Sequence, residues 1–394
     1  MKTLEKIIGR KKSIFDQDLT QLESVLNSIV SKSTFLILGG AGSVGQAVSK
    51  EIIKRNPIAM HVVDLSENNL VELVRDIRSS NFSFNSEFKT FPLDIGSSIY
   101  DSFFLSNGKY DYVINLSAIK HVRSEKNIYS LTRMIDVNIL NTIKTLEQSI
   151  KKGVKKYFSV STDKATNPVN LMGASKRAME LVLMDYSNEI DVSSARFANV
   201  AFSDGSLLKG FINRLDKKQP FSAPIDVKRY FMSEKEAGEL CLISCLVGQN
   251  RDIMFPTLST EDKLKSFRFI AQTILLSKGY RVFECNEKIA KRDIDILIKK
   301  KYWPCVFSKS NTTGEKSFEE FYRSFDKVNT KLFDKIGIIK SPRTESVELR
   351  YFYDKIKKHS SEMNLDKMDI IKMFKNIIPE FKHDEKKYNL DQKM

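Results

Sequence analysis

Cysteine is scarce in this chain: Cys241, Cys245, Cys285 and Cys305 are the four in 394 residues, and no CxxC pair is present. So few, in so long a chain, exclude the disulfide framework that small secreted domains rely on. Cys241 and Cys245 stand four apart in an apolar, helix-like stretch with no histidine nearby, so they read as core thiols and no metal site is expected. Long apolar runs are also missing. None approaches the roughly 18 to 20 residues that cross a bilayer, so no membrane span is expected. The start, Met1 to Glu5 and then Gly9-Arg10-Lys11-Lys12, has neither the apolar segment nor the cleavage site of a secretory signal, which points to the cytoplasm. With 16 glycines, 9 prolines and 41% hydrophobic residues, the composition is that of a packed globular protein, not a disordered or fibrous one. No period of roughly 20 to 50 residues recurs, which argues against a repeat architecture.

What the chain has in excess is positive charge: 64 Lys and Arg against 49 Asp and Glu, a formal charge of +15. Clustered, such an excess is the footprint of nucleic-acid binding. Here the cations are interleaved with acids, as in Lys335 to Arg350, and no RGG tract, zinc finger or RNP-like motif accompanies them. Dispersed solvated charge is the better reading, and no nucleic-acid partner is expected.

From residue 34 to 200 short apolar runs alternate with helix-like segments, the pattern of a doubly wound α/β fold with a parallel sheet. Strands are expected at Thr34–Leu38, Ala59–Asp64, Glu87–Leu93, Tyr112–Leu116, Lys156–Ser161 and Val192–Phe197, and helices at Val44–Lys54, Asn68–Ser79, Ser97–Phe104, Ser130–Lys151 and Gly173–Asn188. Six such strands make a Rossmann-type dinucleotide-binding sheet. The expected organisation is a helical extension over 1–32, the Rossmann domain over 33–200, a smaller substrate-binding part over 201–310 and a helical extension over 311–394, with helices at Ser317–Lys335, Thr344–Lys358 and Leu365–Ile378. The flanking helices suit packing on a core or a sister subunit, with a membrane surface as the alternative.

After the first strand stands Gly39-Gly40-Ala41-Gly42-Ser43-Val44-Gly45, a GxxGxxG spacing that opens a helix. Glycines there allow a tight turn and close approach of backbone to a pyrophosphate, which the helix N-terminus attracts. Asp64 ends the second strand 19 residues past Gly45, placed to accept hydrogen bonds from a ribose. An acid there repels a 2'-phosphate, and no Arg or Lys follows before Arg75, so NAD is expected over NADP. A tight turn without ligand is the plain alternative. Asp94 and Ile95, after the third strand, are candidates for the adenine, although a helix cap before Ser97 explains Asp94 almost as well.

The fifth strand runs into Ser161-Thr162-Asp163-Lys164, and Met172-Gly173-Ala174-Ser175-Lys176 follows. Strand C-termini gather the chemistry of open α/β sheets, so a hydroxyl, a carboxyl and amines there form a candidate acid/base set. Alternatively, Asp163 and Lys164 are a loop ion pair and Lys176 a surface residue.

Together with Asn115-Leu116-Ser117-Ala118-Ile119-Lys120-His121-Val122, Asn138, Arg196-Phe197-Ala198-Asn199-Val200 and Arg229-Tyr230-Phe231-Met232, these segments resemble the UDP-N-acetylglucosamine 4,6-dehydratases, extended short-chain dehydrogenase/reductases of bacterial glycan biosynthesis, over residues 34 to about 260. Trp303-Pro304, Thr312 to Glu315 and Leu390 to Met394 look like the tail of soluble members. One position departs from the wider group: Met172 stands where tyrosine usually precedes the lysine by four residues, and a thioether shuttles no proton. Members of the configuration-retaining branch carry Met there beside a Thr-Asp-Lys triplet.

The resemblance implies a closed redox cycle on NAD: oxidation at carbon 4, loss of water across carbons 5 and 6, and hydride return to carbon 6. It assigns Lys164 as base at carbon 5, Asp163 as acid for the departing hydroxyl, Thr162 as ligand of the 4-hydroxyl and Lys176 as anchor of the nicotinamide ribose. Gly39, Gly42, Ser43, Val44, Gly45, Asp64, Asp94, Ile95, Ser117 and Ala118 would hold the cofactor, and Lys120, Asn199 and Arg229 the UDP-sugar. Asn138 is expected to stabilise the fold around the site, and His121 to be as much a structural group as a chemical one. The rival readings are a carbon-5-inverting dehydratase, a nucleotide-sugar 4-epimerase, and a NAD-binding regulatory protein without activity. The helices Ser130–Lys151 and Gly173–Asn188 commonly pair across subunits in the resembled family, so a homodimer or higher oligomer is expected.

Overall fold

Runs of apolar residues buried on both faces form the centre of the molecule. The computed structural model describes residues 2–107, 109–258, 264–310, 319–342 and 347–383; the tail motifs at 312–315 and 390–394 lie outside them. Nine strands make the main sheet: β1 (Thr34–Leu38), β2 (Ala59–Asp64), β3 (Glu87–Pro92), β4 (Tyr112–Asn115), β5 (Lys156–Val160), β6 (Asp191–Ala195), β7 (Asp252–Pro256), β8 (Val328–Asn329) and β9 (Ile336–Lys340). Their order is β8-β9-β7-β6-β5-β4-β1-β2-β3. β1 to β7 run parallel, and β9 and β8 add an antiparallel edge. Phe35, Leu36, Ile37 and Leu38 are wholly buried, as a parallel strand covered by helices on both faces requires. The order in which strands are added reverses between β1 and β4, and ligands of such sheets bind at the crevice outside that switch point.

The six expected strands are all present within two residues of their expected bounds, but the sheet does not stop at them. β7, from within the stretch assigned to a substrate part, pairs with β6, and β9, from the assigned C-terminal extension, pairs with β7. The helix Glu234–Leu246 likewise lies on the sheet, so close to the helix Ser43–Ile53 that a Cβ on Gly238 would stand 2.8 Å from Ala47. Divisions at 200 and 310 therefore do not follow the layers: the apolar character of Asp252–Pro256 and Ile336–Lys340 draws them to the edge β6 would otherwise expose. The smaller unit has its own core of Phe211, Phe221, Ile270, Ile274 and Trp303, with the strands Phe221–Pro224, Arg281–Glu284 and Tyr302–Ser308.

The expected helix at Ser317–Lys335 is absent over its described part. Residues 319–327 form instead an irregular strap with a turn at Arg323–Asp326. Arg196 donates to the Phe321 carbonyl at 2.7 Å, Phe321 stacks on Phe255, and Arg323 pairs with Asp326 and Glu380. Tertiary bonds to the strap backbone outweigh a helical propensity that is only local. The helix expected at Ser130–Lys151 is interrupted by a π turn at Asp136–Leu140, between Ile128–Ile135 and Asn141–Lys151.

At the amino end, Arg10 forms a bidentate pair with the buried Glu236, and the buried Asp18 accepts the backbone N–H groups of Asp334 and Lys335. Cys241 and Cys245 are core thiols, wholly buried. The helices Val347–Glu362 and Lys367–Ile377 lie over the helices at Ile128–Ile135 and Leu171–Asp185, in one apolar cluster with Leu171, Met179 and Leu183. His359 Nε2 lies 3.0 Å from Thr132 Oγ1, and Ser360 donates to Asp136 at 2.6 Å. The chain itself thus covers faces expected to meet a second subunit. Among the described residues no helix is long and apolar enough to cross a membrane.

Candidate active site

The glycine loop is shaped by two close approaches. Gly39 has φ +70°, and a Cβ on it would stand 2.6 Å from the Ser117 nitrogen; a Cβ on Gly45 would stand 2.3 Å from the Gly39 carbonyl oxygen. Only glycine fits these two positions. Gly42 is different, since a Cβ there would find only the Gly39 oxygen at 3.8 Å, so its outer side is open. It precedes Ser43, Val44 and the rest of the helix Ser43–Ile53, whose first N–H groups have no side-chain cap. Asp64 closes the loop from the second strand: its Oδ2 accepts from the Ala41 N–H and its Oδ1 from the Ser66 N–H, each at 2.9 Å. Open backbone N–H groups at a helix start, a glycine with room beside it and a carboxylate at the end of β2 are what a dinucleotide pyrophosphate and ribose require, and the residues present fit that group. Ser117, just past the end of β4, borders the loop, and Ala118 follows it. Ile95 is buried, while Asp94 accepts from the Gly96 N–H at 2.8 Å and pairs with Arg133 at 3.0 Å, so its contacts are those of a local turn and an ion pair.

Across the crevice, the loop after β5 holds the expected acid/base set. Thr162 Oγ1 donates to Asp163 Oδ1 at 2.8 Å, and Lys164 Nζ lies 3.0 and 3.3 Å from the two Asp163 oxygens. Asp163 is buried and Lys164 half-buried. The loop is fixed beneath by glycine again, since a Cβ on Gly173 would stand 2.4 Å from the Lys164 carbonyl oxygen, and by Asn170, whose side chain caps the helix Leu171–Asp185 on the Gly173 N–H. From this helix come Met172 and Lys176. Met172 is buried in the core, its N–H bound by Glu125 at 2.8 Å, so no hydroxyl replaces the missing phenol at that position. Lys176 is 4% exposed and its amine makes no hydrogen bond or ion pair among the described residues. Burial pushes it down to about 8, against the charge of Glu180. A buried amine without a partner is expensive, and is expected where a bound molecule supplies one. Asn138 holds the π turn to the site, accepting from the Ile119 N–H and donating to the Ile119 carbonyl and Ser175.

Two acids that carry no motif in the sequence organise the rest. Glu180, fully buried, accepts both arms of Arg196 at 2.7 Å, Arg177 at 3.0 Å and Ser161 at 2.6 Å. Burial alone would raise its proton affinity; Arg196, then Arg177 and Ser161, hold it at about 2. Through Ser161, and through Thr166, which Arg196 bonds at 2.9 Å, this network holds both sides of the Thr162-Asp163-Lys164 loop. The second acid is Glu319, 8% exposed, at the start of the strap. Asn199 Nδ2 donates to its Oε1 at 2.6 Å, Tyr230 donates a backbone N–H at 3.3 Å, and Arg229 Nε stands 3.8 Å away. The expected sugar-nucleotide ligands Asn199 and Arg229 are therefore brought together, and around a carboxylate of the chain itself. Burial and then the Asp163 charge push Glu319 up to about 7, against the pull of Arg229 and Lys164. The strap lies 120 residues past Asn199, and no local spacing could announce it. Lys120 is at the exposed rim, where it meets the charges of Asp204 and Glu234. His121 fills the space a side chain on Gly205 would take, a structural role.

The sequence profile of a family described as "Polysaccharide biosynthesis protein" matches residues 35–341. Among curated relatives, the "Uncharacterized membrane protein MJ1061" of Methanocaldococcus jannaschii is 27% identical over 67% of this chain and 78% of its own length. The capsular polysaccharide biosynthesis protein CapD of Staphylococcus aureus is 26% identical over 81% of this chain and 51% of its own, so the chain spans about half of CapD. A UDP-glucose 4-epimerase of Rickettsia rickettsii is 30% identical over 66% of this chain and 80% of its own. Among solved structures, Pen from Bacillus thuringiensis has a TM-score of 0.64 at 20% identity, with 86% of this chain and 99% of Pen covered. DesIV, a dTDP-glucose 4,6-dehydratase from Streptomyces venezuelae with NAD and TYD bound, has a TM-score of 0.55 at 16% identity, with 73% of this chain and 88% of DesIV covered. At those identities the likeness is one of fold.

Proposed function

The chain belongs to the polysaccharide biosynthesis protein family, and from that premise we propose that it is an NAD-dependent UDP-N-acetylglucosamine 4,6-dehydratase that retains configuration at carbon 5. The observation that carries the reading is the Thr162-Asp163-Lys164 set opposite a dinucleotide cradle: a 4-epimerase needs no acid/base pair to expel a 6-hydroxyl, whereas a dehydratase needs both. When bound, NAD supplies the hydride acceptor for carbon 4 and the donor for carbon 6.

The chain's own residues move the protons. Thr162 binds the 4-hydroxyl and passes its proton to Asp163, 2.8 Å away, in the place of the absent phenol. Neutral Lys164 removes the carbon-5 proton as Asp163 returns its own proton to the departing 6-hydroxyl. Lys164 then gives the carbon-5 proton back on the same face, which is retention. One proton passes from oxygen 4 to the water, one leaves and returns at carbon 5, and the site ends as it began. Lys176 binds the ribose with the amine that has no other partner, and Arg229 and Asn199 take the diphosphate, for which a guanidinium fork is suited. Gly39, Gly42, Gly45 and Asp64 hold the dinucleotide, with Ser43, Val44, Ser117 and Ala118 around it. The protein acts in the cytoplasm.

The epimerase relatives favour a second reading, interconversion at carbon 4 without loss of water. Purified protein incubated with UDP-N-acetylglucosamine separates them. A product lighter by one water, with a 4-keto group by NMR, is expected; an isomer of unchanged mass would overturn dehydration, and bound NAD without turnover would favour the regulatory protein.

A further inference from the structure

Glu125 and His383 meet at the start of the helix Leu171–Asp185, and each brings a buried polar atom that lacks a hydrogen bond. Nε2 of His383 stands 3.8 Å from Oε2 of Glu125, with the two side chains 7% and 5% exposed. Among the described residues neither atom has a hydrogen-bond partner. The other Glu125 oxygen accepts the Met172 N–H at 2.8 Å, so this carboxylate holds the first turn of the helix that carries Lys176. Glu125 comes from the turn Val122–Lys126, after β4, and His383 from the segment that follows the helix Lys367–Ile377. That segment is fastened on several sides. Lys382 donates its backbone N–H to the Pro168 carbonyl at 3.1 Å, and the buried Phe381 packs edge-on against the imidazole, with ring centroids 5.9 Å apart. Glu380 pairs with Arg323 of the strap and with Arg177. Residues 168–172, which join the Asp163-Lys164 loop to the helix of Lys176, are thus gripped at both ends.

We propose that His383 is a positioning residue of this site: its imidazolium, paired with Glu125, clasps the segment 378–383 onto residues 168–172 and keeps the Asp163-Lys164 loop in place relative to Lys176. Neither side chain touches the reacting atoms; they act through the Met172 N–H and the Pro168 carbonyl. A carboxylate buried with one oxygen unsatisfied costs free energy, which a facing imidazolium offsets and a neutral ring does not. The other charged groups of these elements are turned elsewhere. Arg123, Lys126 and Lys382 are exposed, while Arg177 and Arg323 meet Glu380, and Arg177 also meets Glu180. Removing the proton from the ring leaves Glu125 without its cation, so the clasp loosens as pH rises. For its effect on turnover this inference rests on the dehydratase reading; the pairing itself does not.

The test reads the imidazole directly and then turnover. The chain has four histidines, His61, His121, His359 and His383, so nitrogen-15 labelling of their rings gives a small set of NMR signals, and His383→Gln identifies its own by removing it. In Glu125→Gln, whose amide oxygen still suits the Met172 N–H, the His383 ring is expected to lose its proton about one pH unit lower than in wild type, the effect of an opposite charge taken away. In turnover of UDP-N-acetylglucosamine, His383→Gln is expected to lower kcat about tenfold with KM nearly unchanged, the scale of a small misplacement of reacting groups. His383→Lys keeps the cation, and its rate relative to wild type is expected to rise with pH. A His383 ring that titrates alike in wild type and Glu125→Gln overturns the proposal, as does a His383→Lys variant no faster than His383→Gln at any pH, the mark of a ring that only fills space. If the ring titration shows the pairing but the sugar keeps its water, the clasp stands and the dehydratase reading fails.

Discussion

At the glycine-loop end of the crevice, each polar contact closes over a short stretch of chain: Asp64 holds the N–H groups of Ala41 and Ser66, and Gly39 and Gly45 meet within one turn. At the strap end, Asn199 closes on Glu319 from 120 residues away, and Arg196 holds the carbonyl of Phe321. The first end is rigid because its backbone has no room to be otherwise. The second is held by charges buried against one another, which makes it sensitive to protons and to whatever anion enters. On the proposed function, orientation and reactivity fall to different ends of one site.

The sharpest way to break this contrast is Lys164→Ala. Carbon-5 exchange is expected to fall about 10²- to 10⁴-fold, the range for a positioned base, with NAD content unchanged by absorbance; loss of the cofactor instead would show the two ends are not separable. Next, the stability of wild type should fall as pH rises. Glu319 holds its proton more tightly folded than unfolded, so its contribution is whole below its ordinary value of 4.5 and is lost as pH passes about 7. The rise of about 2.5 units is worth about 3 kcal/mol at most. Denaturant midpoints at pH 5 and 8 should differ less in Glu319→Gln than in wild type. At the rigid end, Gly45→Ala forces a Cβ against the Gly39 oxygen and should cost about 1 to 3 kcal/mol together with cofactor affinity, read by melting and NAD titration. The smallest effect is expected for Asp94→Asn. Its pair with Arg133 is half-exposed, so under about 1 kcal/mol should be lost, with little change in NAD affinity; a large loss of affinity would return Asp94 to the adenine site.

Legibility in the sequence followed the same division. The strands β1 to β6, the glycine loop, Asp64 and the Thr162-Asp163-Lys164 set are written in local spacing, because apolar alternation and tight turns are decided by neighbours in the chain. Glu180 and Glu319 are not. A glutamate inside a helix and another in a polar stretch look like solvated charge, and what makes them buried is Arg196, Asn199 and Arg229 arriving from other strands. The strap misread as a helix failed for the same reason: its backbone bonds are paid by Arg196 and by β9. The strands β7 and β9 carried apolar runs that could have been counted with the sheet, but nothing nearby said which edge of β1 to β6 they would join.

The helices Val347–Glu362 and Lys367–Ile377 give the molecule one more property. They seal the helix that carries Lys176, where 13 of 15 residues are buried, using segments of the same polypeptide. A cover tethered in this way has an effective concentration fixed by the chain, not by how much protein is in solution. Dilution therefore cannot strip that helix bare, and the apolar support behind the buried lysine persists in a single molecule.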